Sequence, residues 1–100
     1  MRQELDPLLM SELRLAVMSI LIGVEEAEFT YLQKETRSTP GNLGAQLDKL
    51  SAAGYLALEK TFKGKRPCTT AHITAEGTEA FRKHVEALKS YFEPTPPSGS

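Results

Sequence analysis

The segment from Thr39 to Thr78 constrains the fold more than any other part of the chain. It contains a helix pattern (TPGNLGAQLDKLSAAG), a strand (YLALEKTF), a basic tip (KGKRP), a second strand (CTTAHI) and a helix start (TAEGT). In a small domain, this order presents one helix and one charged β-loop on the same side. A helix can enter the major groove of B-DNA, and a cationic loop beside it can reach the phosphates.

Both ends of the helix in this segment are specified by local chemistry. Thr39 is a favourable N-cap, and Pro40 suits the first helical position, where its missing N–H needs no partner. Gly54 suits a left-handed residue after the helix, with Tyr55 placed to pack back on Leu50.

The two strands predict a β-hairpin with a basic tip. Tyr55–Phe62 and Cys68–Ile73 are rich in strand-forming residues, and Lys63–Pro67 reads as a longer than minimal loop with Gly64 at its tip. The chain has a net charge of -1, yet four of its cations fall close together around this loop. They are Lys60, Lys63, Lys65 and Arg66.

The remaining elements are predicted to be helical. A helix starting at Ser11 is apolar nearly all round, which predicts cover on two sides, by the C-terminal helix or by another subunit. Thr30, with Gln33 three residues later, predicts a capping box for a short helix. Thr74 is expected to cap the last helix, and the proline-rich tail, 93–100, to be disordered.

Composition excludes several classes of function. A chain of 100 residues is one small domain, and its apolar runs are too short to cross a bilayer. We expect a cytoplasmic protein because no secretory signal is visible. Cys68, His72 and His84 form no nucleophile–base grouping and no standard metal spacing, so neither an enzyme, a metal nor a cofactor is expected. For His84, packing is the favoured role.

The exposed side of the helix after Thr39 carries side chains suited to reading bases. Asn42 and Gln46 are of the types that pair bidentately with adenine, and Lys49 can reach guanine or phosphate. A solvent-facing amphipathic helix explains the same pattern, but the basic hairpin favours DNA.

Apolar residues at both ends of the chain exceed what a compact core needs. If they were exposed, these residues would form an apolar patch that monomers rarely tolerate. Packing against a second subunit related by a two-fold axis would bury them. Packing of the N-terminal arm on the last helix is the competing explanation. The expected interface residues are Leu8, Leu9, Phe81, Val85, Leu88 and Phe92.

Nearly the whole chain, from Leu5 to about Phe92, resembles the small winged-helix transcriptional regulators grouped loosely with the MarR and ArsR families. The resemblance is carried by LDPLLMSELRLAVMSIL, GNLGAQLDKLSAAGYL and GKRPCTTAHITAEG. It is closest to a compact subgroup consisting of a stand-alone winged-helix domain. Gly44, Cys68 and Ala71 depart from the usual pattern, and the metal-binding cysteines of ArsR-type proteins are absent.

The resemblance implies a winged helix-turn-helix, mainly α with a small β-hairpin, over residues 1–92. The recognition helix would span 40–53 and the wing 62–68, and the first and last helices would form a homodimer. Carried over by position, the residues facing the groove are Thr39, Gly41, Asn42, Ala45, Gln46 and Lys49. Those facing the DNA backbone are Arg37, Lys63, Lys65 and Arg66.

These patterns together predict a sequence-specific regulator that binds double-stranded DNA, with repression at a palindromic operator as the simplest mechanism. A protein-docking module that binds no DNA is the alternative, favoured by the near-neutral charge and by Asp48 on the reading face. The operator and any small-molecule effector stay open.

Overall fold

The computed structural model describes residues 3–92, which form four α-helices and a three-stranded antiparallel sheet. The elements in chain order are α1 (Glu12–Val24), β1 (Glu26–Glu28), α2 (Phe29–Thr36), α3 (Pro40–Ala52), β2 (Leu56–Lys63), β3 (Arg66–Ile73) and α4 (Ala75–Phe92). The sheet order is β1-β3-β2. This is the predicted α+β winged helix fold. The predicted tail, 93–100, lies outside the described residues.

Side-chain caps start α1, α3 and α4. Ser11 accepts the backbone N–H of Arg14 at 3.3 Å before α1. Thr74 accepts that of Gly77 at 2.9 Å at the start of α4. A short 3-10 helix, Pro7–Leu9, is likewise capped by Asp6. The predicted starts at Ser11 and Thr74 are confirmed.

The capping box predicted at Thr30 is wrong. β1 ends at Glu28 and α2 begins at Phe29, with no side-chain hydrogen bond at its N-cap. Thr30 therefore already lies inside the helix, whereas an N-cap residue needs extended backbone. α2 ends at Thr36, and Arg37, directly after it, adopts a left-handed conformation with φ 54°.

Both ends of α3 form as predicted. Thr39 Oγ1 accepts the N–H of Asn42 at 3.2 Å. At the other end Gly54 has φ 83°, and the N–H of Tyr55 donates to the carbonyl of Leu50 at 3.0 Å. This is the hydrogen bond of a Schellman cap.

The hairpin turn is tighter than predicted. Lys63 pairs with Arg66, which leaves only Gly64 and Lys65 between the strands. Gly64 has φ 64°, and a positive φ at the first of two loop residues is typical of a type II′ turn. The predicted loop, Lys63–Pro67, was too long, because Gly64 allows a two-residue turn and the strands stay paired up to it.

The core lies between the helices and one face of the sheet. α1 packs against α2, α3, α4 and β3. The C-terminal helix, α4, therefore covers part of the second apolar side of α1. Between residues 3 and 92, no helix is both long and apolar enough to cross a bilayer. The buried apolar residues are Leu9, Val17, Met18, Leu21, Ala27, Leu32, Leu43, Leu47, Leu50, Leu56, Ala71 and Ala87.

Candidate nucleic-acid interface

The predicted reading face of α3 is open to solvent. Its leucine stripe is buried, which turns the opposite side of the helix outwards. Gln46 is half-buried, on the flank of this face. The exposed members of the predicted set are Thr39, Gly41, Asn42, Ala45 and Lys49.

The hairpin lies beside α3. Gly44 and Asp48 of α3 line a crevice of about 210 Å³ together with Lys60 and Thr69 of the hairpin. Because one crevice has both elements as walls, a molecule lying against α3 also meets the base of the wing. The sequence predicted that α3 and the hairpin tip share one side, and the crevice brings the base of the hairpin, at Lys60 and Thr69, against α3.

The cations at the wing tip differ in their surroundings. Lys65 and Arg66 are exposed, and among the described residues they form no ion pair. Lys63 instead forms an ion pair with Glu28 of β1. The hydrogen bond that Lys63 donates to Glu28, and the negative charge of Glu28, raise the pKa of Lys63. One of the three predicted wing cations is thus already partnered in the free chain.

Arg37 occupies the turn between α2 and α3. It is exposed, and it lines a depression of about 380 Å³ that also contains Ser11, Ser38 and Asn42. The predicted backbone-contacting residue is therefore next to the N-terminal end of the reading face. A phosphate near that end would also meet the N-terminal turn of α3, in which Pro40 has no N–H and that of Asn42 is already bonded to Thr39 Oγ1.

A residue that the sequence reasoning missed connects α1 to the reading face. Arg14 donates through Nη1 to Gln46 Oε1 and through Nε to the carbonyl of Leu8, the latter at 2.6 Å. Gln46 Nε2 donates in turn to Asn42 Oδ1 at 3.0 Å. The signal was present, because Arg14 is the one cation in the largely apolar helix ELRLAVMSILIGV.

A second missed cluster lies on the outer face of the sheet. His72 of β3 is 3.0 Å from Glu26 of β1 and 3.6 Å from Glu59 of β2. The cluster depends on the pairing register of all three strands, which the sequence did not specify.

His84 has the packing role that the sequence favoured. It is 1% exposed, and its Nδ1 accepts the backbone N–H of Asp6 at 3.0 Å. Asp6 also accepts the hydroxyl of Tyr55 at 2.5 Å. This hydrogen bond, then burial and the charges of Asp6 and Glu76, raise the pKa of Tyr55 to about 12. The N-terminal arm is thereby tied to α4 and to the end of α3.

The predicted interface residues divide into three groups. Leu9 is 0% exposed and belongs to the core of its own chain, so its assignment to a dimer interface was wrong. Leu8 and Phe81 pack partly against that core, which favours the competing explanation for this end of the arm. Val85 and Leu88 are half-buried, while Phe92 is 80% exposed.

Within the part of the chain that the structure describes, no group of three or more His, Cys, Asp or Glu side chains is placed to hold a metal ion. The surface formed by α3, the α2–α3 turn and the hairpin carries exposed polar and cationic side chains. A helix-turn-helix with an adjacent β-wing defines a class of DNA-binding domain.

Comparison with known proteins agrees with this class. Residues 13–92 match the family model described as a winged helix DNA-binding domain, and the chain belongs to that family. It is 33% identical over 75 residues to an uncharacterised protein of Methanocaldococcus jannaschii, covering 75% of this chain and 82% of that one. The predicted resemblance to small winged-helix DNA-binding proteins is confirmed.

Solved structures show the same fold. A transcriptional regulator homologue from Pyrococcus horikoshii OT3 has a TM-score of 0.79 and 30% identity, covering 85% of this chain and 84% of that chain. The YusO protein of Bacillus subtilis has a TM-score of 0.71 and 17% identity, covering 82% of this chain and 57% of that chain.

Proposed function

We propose that this protein is a cytoplasmic, non-catalytic transcriptional regulator that binds a palindromic operator as a homodimer and represses by blocking a promoter. The observation that carries the proposal is the shared crevice between α3 and the hairpin, next to an exposed polar helix face and a basic tip. Its family membership supports DNA as the partner. Repression is the simplest mechanism, because blocking a promoter requires only a DNA-binding domain such as the one that residues 13–92 match.

The contacts divide by their chemistry. Asn42 and Lys49 reach base edges in the major groove, since both are exposed and carry hydrogen-bond donors. Lys65 and Arg66 meet phosphates from the wing, and Arg37 does so from the α2–α3 turn. Phosphate contacts set position and general affinity, whereas base contacts set specificity.

The second subunit is proposed to pack on the end of α4. Phe92 at 80% exposure and the half-buried Val85 and Leu88 follow one another along one side of this helix. Ile22 and Val24 at the end of α1 are also exposed. An isologous interface would remove these side chains from water and present two recognition helices to one duplex.

Selection of bound sequences from a random pool of double-stranded DNA tests the proposal. We expect an enriched site with two inverted half-sites, their centres separated by about one helical turn, roughly 34–36 Å, or a multiple of it. Enrichment of a single half-site would contradict the homodimer but not DNA binding.

A protein-docking module is the second candidate. The exposed Asp48 on α3 and the carboxylates of Glu26 and Glu59 on the outer face of the sheet support it, because all three repel phosphate. If the selection enriches no sequence and the protein binds no DNA at low salt, this candidate replaces the first.

A further inference from the structure

Three side chains form a continuous hydrogen-bonded chain from α1 to the reading face of α3. Arg14 donates to Gln46 Oε1, and Gln46 Nε2 donates to Asn42 Oδ1 at 3.0 Å. Exposure increases along this chain, from the half-buried Arg14 and Gln46 to the exposed Asn42. The inner end is therefore held by the protein, and the outer end faces the proposed DNA.

The direction of every hydrogen bond in this chain is set by Arg14. A guanidinium group has N–H donors and no acceptor, so only the amide oxygen of Gln46 can face it. This turns the amide nitrogen of Gln46 towards Asn42. Since that nitrogen is a donor, Asn42 must present its oxygen to Gln46 and turn its NH₂ group away from it.

Arg14 is itself held in place. Its Nε donates to the carbonyl of Leu8 at 2.6 Å, while Nη1 contacts Gln46. Rotation of this half-buried arginine would break both hydrogen bonds of its guanidinium group, and hydrogen bonds to charged groups are stronger than neutral ones. The orientation imposed on the two amides is therefore a built-in property of the free domain.

We propose that Arg14 is a positioning residue that makes Asn42 a hydrogen-bond donor and thereby selects guanine at the base pair that Asn42 contacts. This inference rests on the proposed DNA-binding function and specifies its base preference. An asparagine whose amide is free pairs with adenine, using its oxygen for the N6 amino group and its nitrogen for N7. In this domain Asn42 Oδ1 is directed at Gln46 and accepts one of its two possible hydrogen bonds there, so the NH₂ group is the part of the amide left free to meet a base.

Guanine fits the remaining donor group best. Its major-groove edge presents two acceptors, N7 and O6, whereas adenine presents one acceptor beside a donor and cytosine presents a donor. At adenine N6 and at cytosine N4, the NH₂ group of Asn42 would face another hydrogen-bond donor. The sequence alone suggested adenine for Asn42 and Gln46, and the hydrogen-bond chain reverses that expectation.

The test compares base preferences within each variant, so that changes in general affinity cancel. Sites are first selected from random duplex DNA with the unaltered protein and with Asn42→Ala. The base pair whose preference disappears in Asn42→Ala is the one that Asn42 contacts. Affinities are then measured for duplexes that carry guanine or adenine at this position.

Two variants reorient Asn42 by different routes. Arg14→Met removes the donor that fixes Gln46 and keeps an unbranched side chain of similar length. Gln46→Glu keeps Arg14 paired but replaces the amide nitrogen by an acceptor, so Asn42 must turn its NH₂ group inwards and its oxygen outwards. If Arg14→Met fails to fold, Gln46→Glu still tests the inference.

We expect the unaltered protein to prefer guanine over adenine by about tenfold, within the range for one base contact. The ratio should fall to about one in Arg14→Met and should favour adenine in Gln46→Glu. A preference for adenine in the unaltered protein, or an unchanged ratio in Gln46→Glu, would overturn the inference and leave DNA binding intact. Absence of any enriched sequence would overturn both.

Discussion

Glu28 on β1 holds the ammonium group of Lys63 on β2 by reaching across the central strand of the sheet. The pair is largely exposed, with 69% of the Lys63 side chain accessible. In the proposed complex, Lys63 exchanges this carboxylate for a phosphate. Glu28 therefore competes with DNA for one of the wing cations.

Replacing Glu28 by Gln should tighten binding to all DNA sequences by a few-fold. In this variant, Lys63 can bind a phosphate without first breaking an ion pair with residue 28. The gain should be small, because exposed ion pairs have modest strength. Fluorescence anisotropy with unrelated duplexes measures the effect. Glu59→Gln on the same sheet face removes an equal charge, so an identical change in both variants would contradict the competition.

The hydrogen bond between Tyr55 and Asp6 should make folding stability depend on alkaline pH. The pKa of Tyr55 is raised to about 12 in the folded chain, so its contribution is present below pH 10 and is lost as pH rises towards 12. Urea unfolding of Tyr55→Phe and the unaltered protein should differ by about 1 kcal/mol at neutral pH. The difference should shrink as pH rises above 10, and a difference that stays constant with pH would contradict this account.

Two helical glycines should respond oppositely to alanine. A Cβ at Gly77 would lie 1.9 Å from the carbonyl oxygen of Tyr55, whereas nothing lies within 4 Å of one at Gly44. We expect Gly77→Ala to lower the free energy of unfolding by about 2 kcal/mol or more, because backbone must move. Gly44→Ala should raise it by about 0.5–1 kcal/mol through helix propensity. Equal effects in urea unfolding would argue against the close approach of α4 to Tyr55.

Polar substitution at the end of α4 should separate the proposed dimer. Leu88→Gln combined with Phe92→Gln places two polar groups in the apolar patch, and burying them without partners is unfavourable. Size-exclusion chromatography with light scattering should give the monomer mass. Phe62→Gln, which changes an exposed aromatic residue on the hairpin, is the control and should leave the mass unchanged. An unchanged mass in the double variant would remove this interface.

Local chemistry explains which parts of the fold were predictable. The cap at Thr39 and the left-handed Gly54 act within a few residues, and both formed as expected. Hydrophobic spacing also identified the buried leucines of α3. The turn at Gly64 was predicted in position but not in length, because the pairing of the strands decides where a hairpin closes.

Contacts between distant segments explain what was missed. Glu28 and Lys63 are 35 residues apart in sequence, and Arg14 and Gln46 are 32 apart. Their meeting depends on strand register and on how α1 crosses α3, neither of which follows from periodicity. Leu9 was misassigned for the same reason, since an apolar residue before a helix can face its own core or a partner.

Removing the wing cations should weaken binding without changing specificity. Lys63→Ala, Lys65→Ala and Arg66→Ala together take away positive charges that meet phosphates, so affinity should fall alike for all sequences. The salt dependence should become shallower as well, by about 0.9 in the log–log slope for each phosphate that the protein no longer neutralises.

A triple variant on α4 provides the matched control. Arg82→Ala, Lys83→Ala and Lys89→Ala remove the same charge from a helix that lies outside the proposed DNA surface. Anisotropy with the selected site should show a small change for this control. A larger decrease in affinity from the α4 variant than from the wing variant would place the DNA on a different side of the molecule.

The most direct test of DNA binding is the affinity of the unaltered protein for its selected duplex between about 50 and 200 mM salt. Phosphate contacts from Arg37, Lys65 and Arg66, with Lys63 after exchange, predict a linear fall of log affinity with log salt, with a slope near 0.9 per contact. An affinity that does not change across this range, or no binding at its lower limit, would contradict the account.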